Sequence, residues 1–267
     1  MKLGGKVAIV TGATRGIGKA IAIDFAKEGA IVVVTGRSKV DGKLPGTIYE
    51  TAKEIERNGG KAIAIKCDIS LEEEVDDLVK KTLTELGSVD VLVNNAALAY
   101  YRTVTETPTK HWDLVMRINV RGPFLCIKAV LPLMIEQKSG SILNISSSAA
   151  ENIFSFMERT DGEKHLSGCA YGGSKAALER LSRGLAEEVR EHNIAVNTLR
   201  PAKATWSEGA VLWNPDVDES TFISPHLYLT KAATFLATQD AAGITGGVFY
   251  DKDLCEQYKL LYREPTL

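Results

Sequence analysis

The sequence predicts an α/β fold in which short buried strands alternate with amphipathic helices. Three observations carry that prediction. Lys6-Val7-Ala8-Ile9-Val10-Thr11 and Ala30-Ile31-Val32-Val33-Val34-Thr35 are short apolar runs bounded by turn residues, as expected of strands buried on both faces. Between them Gly12-Ala13-Thr14-Arg15-Gly16-Ile17-Gly18 forms a glycine-rich turn that opens an amphipathic helix from Lys19 to Glu28, closed by Gly29. The alternation of strand and helix then continues along the chain with no linker, internal repeat or low-complexity tract. A single domain over residues 1–267 is the expected organisation, since a chain of 267 residues with 45% apolar and 25% charged residues can bury a sizeable core.

Composition excludes several classes. A formal net charge of -2 and a pI near 6.1 give no electrostatic case for nucleic acid or for an anionic membrane surface. The cysteines (Cys67, Cys126, Cys169, Cys255) are far apart, without a CxxC pair or a Cys/His cluster at metal-ligand spacing. Residues 1–5 lead straight into a strand, and no apolar run reaches the ~18 residues of a membrane span. A cytoplasmic protein is expected.

A strand, a glycine-rich turn and a helix N-terminus make an anion site, because glycines let the backbone approach closely and first-turn N–H groups face a phosphate. Gly12, Thr14, Arg15, Gly16, Ile17 and Gly18 are the candidate contacts, spaced G-x-x-x-G-x-G rather than as the commoner dinucleotide fingerprint G-x-G-x-x-G. The second strand completes a βαβ unit, and the residues after it bear on cofactor choice. An acid there would bond an adenosine ribose 2′-hydroxyl, whereas arginine suits a 2′-phosphate. This chain has Gly36-Arg37-Ser38-Lys39, with a second arginine, Arg15, in the turn, which favours NADP(H) over NAD(H).

Residues 40–46 are a turn-rich insertion before Thr47-Ile48-Tyr49-Glu50, a capping-box pattern starting a helix that ends near Asn58-Gly59-Gly60. Lys61 to Lys66 alternates as a third strand and leads to Cys67-Asp68-Ile69. Asp68, with Ile69 beside it, is placed to contact the adenine, or Asp68 caps the helix from Glu72 to Leu86. Val89 to Val93 is the fourth strand. Asn94-Asn95-Ala96-Ala97 leaves its C-terminal end, where ligands of open α/β sheets bind, and Asn95, Ala96 and Ala97 join the candidate cofactor contacts.

Tyr171-Gly172-Gly173-Ser174-Lys175 places a phenol and an ammonium on one face at the start of a helix. A free tyrosine ionises near pH ~10. A proton donor and acceptor working near neutrality needs that value lowered, and an adjacent cation with a cationic cofactor ring is a physical means of lowering it. Taken alone, the pair also fits an ordinary amphipathic face.

Thr11-Gly12-x-x-x-Gly16-Ile17-Gly18, Asn94-Asn95-Ala96, Asn119 in Ile118-Asn119-Val120-Arg121-Gly122, Ser147 and Tyr171-x-x-x-Lys175 together resemble, in order and over nearly the whole chain, the motifs of the short-chain dehydrogenases/reductases. The resemblance implies a Rossmann-type doubly wound sheet of about seven parallel strands with helices on both faces. It implies hydride transfer between a nicotinamide and a small-molecule carbonyl or alcohol, with Tyr171 as general acid in reduction and base in oxidation. Lys175 resembles the lysine that holds the nicotinamide ribose and lowers the tyrosine's pKa. Ser147 matches the serine on the substrate oxygen, with Ser146 and Ser148 as alternatives. Asn119 is similar to the asparagine that steadies a lysine-linked water. Thr205, with Pro201 before it, resembles the residue that meets the nicotinamide carboxamide and the diphosphate. The helices from Thr109 to Lys138 and from Tyr171 to Glu191 resemble those of a four-helix subunit contact, so a homodimer or homotetramer is expected.

The chain also departs from that pattern. Ser147 and Tyr171 lie 24 positions apart, about twice the usual family spacing. The extra segment, around residues 150–170, is expected to form part of the substrate wall, with a surface loop turning at Asp161-Gly162 as the alternative. After the sixth strand, Ile194 to Leu199, Arg200-Pro201-Ala202-Lys203 stands where the family has Pro-Gly. Residues around 203–225 carry Trp206, Trp213, Pro215, Phe222 and Pro225, a composition suited to a lid with an apolar inner face, or to fixed core or a subunit contact. A helix from Leu227 to Thr238, a last strand from Gly247 to Asp251 and a tail from Lys252 to Leu267 complete the reading. The missing glycine and the enlarged segment keep a second function class open: a cofactor-binding scaffold or redox sensor with little turnover.

Overall fold

The computed structural model describes residues 1–37, 45–151, 168–208, 220 and 222–261. Its strands are β1 Val7–Thr11, β2 Ile31–Gly36, β3 Lys61–Lys66, β4 Val91–Asn94, β5 Gly140–Ile145, β6 Ile194–Arg200 and β7 Val248–Tyr250. Its helices are α1 Gly16–Lys27, α2 Ile48–Arg57, α3 Glu72–Leu86, α4 Thr109–Met116, α5 Gly122–Gln137, α6 Cys169–Glu188, α7 Leu229–Ala237 and α8 Asp251–Gln257. The strands form one parallel sheet in the order β3-β2-β1-β4-β5-β6-β7. The doubly wound architecture expected from the sequence is the one observed.

Side-chain alternation explains why the central strands β1 and β2 are apolar on both faces. Val7 and Ile9 of β1 join Val33 of β2 on the face covered by Leu78 of α3, Leu125 and Val130 of α5 and Leu185 of α6. Ala8 and Val10 join Val32 and Val34 on the other face, under Ile21 and Phe25 of α1, Ile55 of α2 and Leu236 of α7. Both clusters are buried, and each fully buried Val, Leu, Ile or Phe contributes roughly 1.5–3 kcal/mol. The chain runs outward from β1 through β2 and β3 and then returns to β4 on the other side of β1, so a crevice opens beyond the C-terminal ends of β1 and β4. Both the glycine turn and Asn94-Asn95 leave the sheet there.

Local signals were realised with small shifts. Thr47 and Glu50 form a complete capping box at α2: the Thr47 hydroxyl accepts from Glu50 N at 3.1 Å, and Glu50 Oε2 accepts from Thr47 N at 2.8 Å. α1 starts at Gly16, inside the turn, rather than at Lys19. Residues read as a tail instead form α8, with Asp251 and Asp253 in its first turn, where acids suit the helix dipole. α4 and α5 join through a π-helical turn, Arg117–Arg121. The resulting helix, Thr109–Gln137, is by length and composition apolar enough to cross a membrane. The sequence reading of no membrane-length stretch therefore holds only for unbroken apolar runs: Arg117, Arg121 and Lys128 interrupt this one, while Leu125, Cys126, Val130 and Met134 are buried against the sheet. Ser38, most of the 150–170 segment, and Trp213 and Pro215 of the expected lid lie outside the described residues.

Candidate active site

The glycine turn is braced from β4. The Thr11 hydroxyl donates to Val93 O at 3.2 Å and accepts from Asn95 N (3.0 Å) and Ala96 N (3.1 Å). Asn95 Nδ2 donates to Thr11 O at 2.9 Å and Gly12 O at 3.3 Å, satisfying backbone groups that the turn leaves open. The packing tolerates no side chain: a Cβ at Gly18 would lie 2.4 Å from Asn95 Nδ2, and one at Gly12, where φ is +65°, would lie 2.8 Å from Ala96 Cα.

Arg15, the residue before α1, has an extended backbone and makes no side-chain cap, so the first-turn N–H groups need an outside acceptor. Glu208 Oε2 accepts from Gly16 N at 2.9 Å. That carboxylate oxygen stands in for an anionic ligand oxygen, and the donor set fits the diphosphate of a dinucleotide. Arg15 donates to Gly46 O at 3.3 Å and to the Thr14 hydroxyl at 3.4 Å. Arg37 is exposed just past β2. Burial raises the Asp68 carboxyl, but the Ser70 N–H at 3.0 Å and the charges of Arg37 and Arg117 outweigh it and hold Asp68 below its ordinary value. Leu71, with no side-chain cap, precedes α3, so the helix-capping reading of Asp68 is not realised. Ile69 is buried against Gly122, and Ala97 is exposed.

The second cluster lies past β5. The Ser147 side chain lies beside the Tyr171 phenol and acts to lower it, and Ser147 Oγ accepts from Ala149 N at 3.2 Å. Ser146 turns away, donating to Glu179 Oε1 at 2.6 Å. Lys175, 3% exposed, holds its ammonium 5.8 Å from the centre of the Tyr171 ring and donates to Ile145 O at 2.7 Å. Burial pulls this lysine down to about 8, with Glu179 pushing the other way. Burial also pushes the Tyr171 phenol up, opposed by the Ser147 side chain. The ammonium faces a carbonyl and the ring, and desolvation of the phenolate outweighs the lowering by Ser147. Tyr101 stands edge-on to Tyr171, ring centres 5.4 Å apart, as a wall of the same space.

Asn119 sits in the π turn, 1% exposed. Its Oδ1 accepts from Leu98 N at 2.8 Å, and its Nδ2 donates to Leu98 O and to Ser174 Oγ, each at 3.0 Å. This side chain ties the segment after β4 to α6. A π turn inserts one residue into the helical register and so re-aims a side chain, which the sequence pattern did not reveal.

Sequence reasoning missed a buried charge network one helical turn beyond Lys175. Arg200 donates to Glu179 through Nε at 2.7 Å and Nη2 at 2.6 Å, a bidentate pair. Arg200 Nη1 reaches Glu151, whose Oε2 also accepts from the Tyr250 hydroxyl at 3.2 Å. The available signals were Glu179 at i+4 from Lys175 and an arginine at the end of an otherwise uncharged strand. Past it, Pro201 is half-buried, and Ala202 N donates to Asp251 Oδ1 at 2.8 Å. Thr205 is buried, pairs with Ile223 and donates from its hydroxyl to Lys203 O at 3.2 Å.

Comparison with known proteins agrees with this fold. Residues 6–208 match the short chain dehydrogenase family. The human hydroxysteroid dehydrogenase-like protein 2 is 39% identical over 258 residues, 96% of this chain and 59% of that protein. The bovine protein of the same name is 40% identical over 204 residues, 76% of this chain and 46% of that protein. The chain thus spans less than two thirds of the length of these curated relatives. A metagenomic short-chain oxidoreductase solved in complex with NADP superimposes with a TM-score of 0.73 at 30% identity, covering 94% of this chain and 98% of that one.

Proposed function

The chain belongs to the short-chain dehydrogenase family, and from that premise we propose that it interconverts a carbonyl and an alcohol with NADP(H) as cofactor. The observation that carries the reading is the juxtaposition of Ser147 and the Tyr171 phenol with Lys175 behind it, at the sheet end shared with an anion-accepting glycine turn. When bound, the nicotinamide supplies or accepts the hydride. Tyr171 gives its phenolic proton to the carbonyl oxygen in reduction and takes it back in oxidation, while the Ser147 hydroxyl orients that oxygen. Lys175 holds the cofactor ribose, and Arg15 and Arg37 take the 2′-phosphate. NADP in a solved relative supports the nicotinamide assignment. A depression lined by Met116, Val120, Phe124 and Leu181 and rimmed by Asp113, Arg117 and Arg121, on the helices expected to meet a second subunit, supports a homo-oligomer.

Tyr171→Phe tests the assignment. Helix α6 and Lys175 should persist, so NADPH affinity should hold while ketone reduction falls by at least ~10²-fold. Turnover is to be measured over a broad panel of ketones and alcohols. Robust reduction by the Phe variant would mean that another group is the acid. Tight NADPH binding by the wild-type protein with no turnover of any compound would favour the scaffold reading.

A further inference from the structure

The anion that occupies the glycine turn belongs to the chain itself. Glu208 Oε2 lies 2.9 Å from Gly16 N. Ser207 packs so closely there that a Cβ on Gly16, where φ is +53°, would come within 2.7 Å of Ser207 Cβ. The approach is fixed from behind. Thr205 pairs with Ile223, Trp206 N donates to Ile223 O at 2.9 Å, and Ile223 N donates to Ala204 O at 3.0 Å. A short anchored backbone therefore delivers Glu208 to the turn. The N-terminus of α1 favours negative charge, and no side-chain cap competes for its donors.

We propose that Glu208 is an internal competitor for the cofactor diphosphate: its carboxylate holds the first-turn donor of α1 and must leave Gly16 before a dinucleotide can bind. The proposal rests on the reading that this turn takes the diphosphate. Two anions on one donor would repel at short range. Cofactor affinity is then lowered in proportion to the fraction of molecules in which Glu208 is away from Gly16. NADPH and NADH carry the same diphosphate, so Glu208 sets affinity for both, while Arg15 and Arg37 set the choice between them.

The test compares the wild-type chain with Glu208→Gln, which keeps size and loses charge, and Glu208→Ala, which loses the acceptor as well. NADPH, NADH and adenosine 2′-monophosphate are titrated against each by calorimetry, with stopped-flow association for NADPH. Both variants should bind both dinucleotides about tenfold tighter, the scale of one charge-assisted hydrogen bond. The wild-type association rate should level off at high NADPH, whereas that of Glu208→Ala keeps rising. Adenosine 2′-monophosphate, which lacks the diphosphate, should bind all three proteins alike. Dinucleotide affinities unchanged or weakened in both variants overturn this proposal alone. An equal gain for adenosine 2′-monophosphate overturns it too, because the charge would then act at long range rather than at Gly16. No binding of either dinucleotide to any of the three proteins overturns the cofactor reading, and this proposal with it.

Discussion

Two regions meet at the crevice and place their charge in opposite ways. On the β1–β2 side the strand interiors are apolar, and the cations, Arg15 and Arg37, lie at the rim where a ligand can reach them. On the β5–β6 side Lys175, Glu179, Arg200 and Asp251 are buried, together with Asn144, Ser146, Asn197 and Thr198. Most of these polar groups are paired: Asn144 bridges Asn94 and Ser182 at 2.8 Å each, and Glu179 joins Ser146 to Arg200. The difference teaches where each kind of residue acts. Charge at the rim is available for recognition, whereas charge inside couples the ends of β5 and β6 to helix α6 and must be satisfied for the chain to fold.

The sharpest way to break that comparison is to remove one partner of the interior pair. Arg200→Met leaves the Glu179 carboxylate buried without its bidentate partner and should destabilise the chain by about 3–5 kcal/mol. Ile9→Val, a deletion in the buried β1 strand, should cost about 0.5–1.5 kcal/mol. The double variant Glu179→Met/Arg200→Met should recover most of the loss, because neighbours in one network do not add. Urea unfolding of all four proteins measures this. An Arg200→Met cost as small as that of Ile9→Val would mean that the network contributes little to the fold.

The same contrast explains what could be read in advance. Apolar strand patterns and turn chemistry are local, so β1 to β4, β6 and β7, the capping box at Thr47 and the turn from Gly12 to Gly18 were legible from residue order. Tyr171 and Lys175 were legible as a pair because helical spacing puts i and i+4 on one face. Their electrostatics were not: the raised phenol depends on burial, which periodicity does not quantify. The Glu179–Arg200 pair and the Glu208–Gly16 contact join residues 21 and 192 positions apart, and no spacing rule spans such separations. Asn119 was legible only through the resemblance, and its partners follow from the π turn.

A second prediction concerns the buried ammonium. Burial takes Lys175 from its ordinary 10.5 down to about 8, so in the folded chain it gives up its proton earlier than in the unfolded one. Between pH 8 and 10.5 the unfolded state binds more protons, and stability should rise with pH across that window. Below it both states are charged and the folded chain carries the full penalty, roughly 3 kcal/mol for such a shift. Lys175→Met should therefore be the more stable protein at pH 7 by about 2 kcal/mol, once roughly 1 kcal/mol is allowed for the lost bond to Ile145. The advantage should vanish by pH 10.5. Paired urea titrations across the range cancel other titrating groups. A difference that does not vary with pH would show that Lys175 titrates as it would in water.

The mildest prediction returns to the rim. Arg37 is exposed beyond β2, and its charge already lowers Asp68 across the loop, so replacing it should leave the fold's stability within about 0.5 kcal/mol. What changes is recognition. A charge-assisted phosphate contact contributes on the order of 1.5–3 kcal/mol, so Arg37→Asp should weaken NADPH by more than tenfold. NADH lacks the 2′-phosphate and presents a hydroxyl that an aspartate can accept, so its affinity should hold or improve. Fluorescence titration of both cofactors against both proteins, beside a thermal melt of each, separates the outcomes. Wild-type affinity equal for the two, or tighter for NADH, would end the NADP(H) assignment. A melting temperature that falls as far as that of Arg200→Met would show that the rim arginine belongs to the fold, and the division between the two regions would be lost.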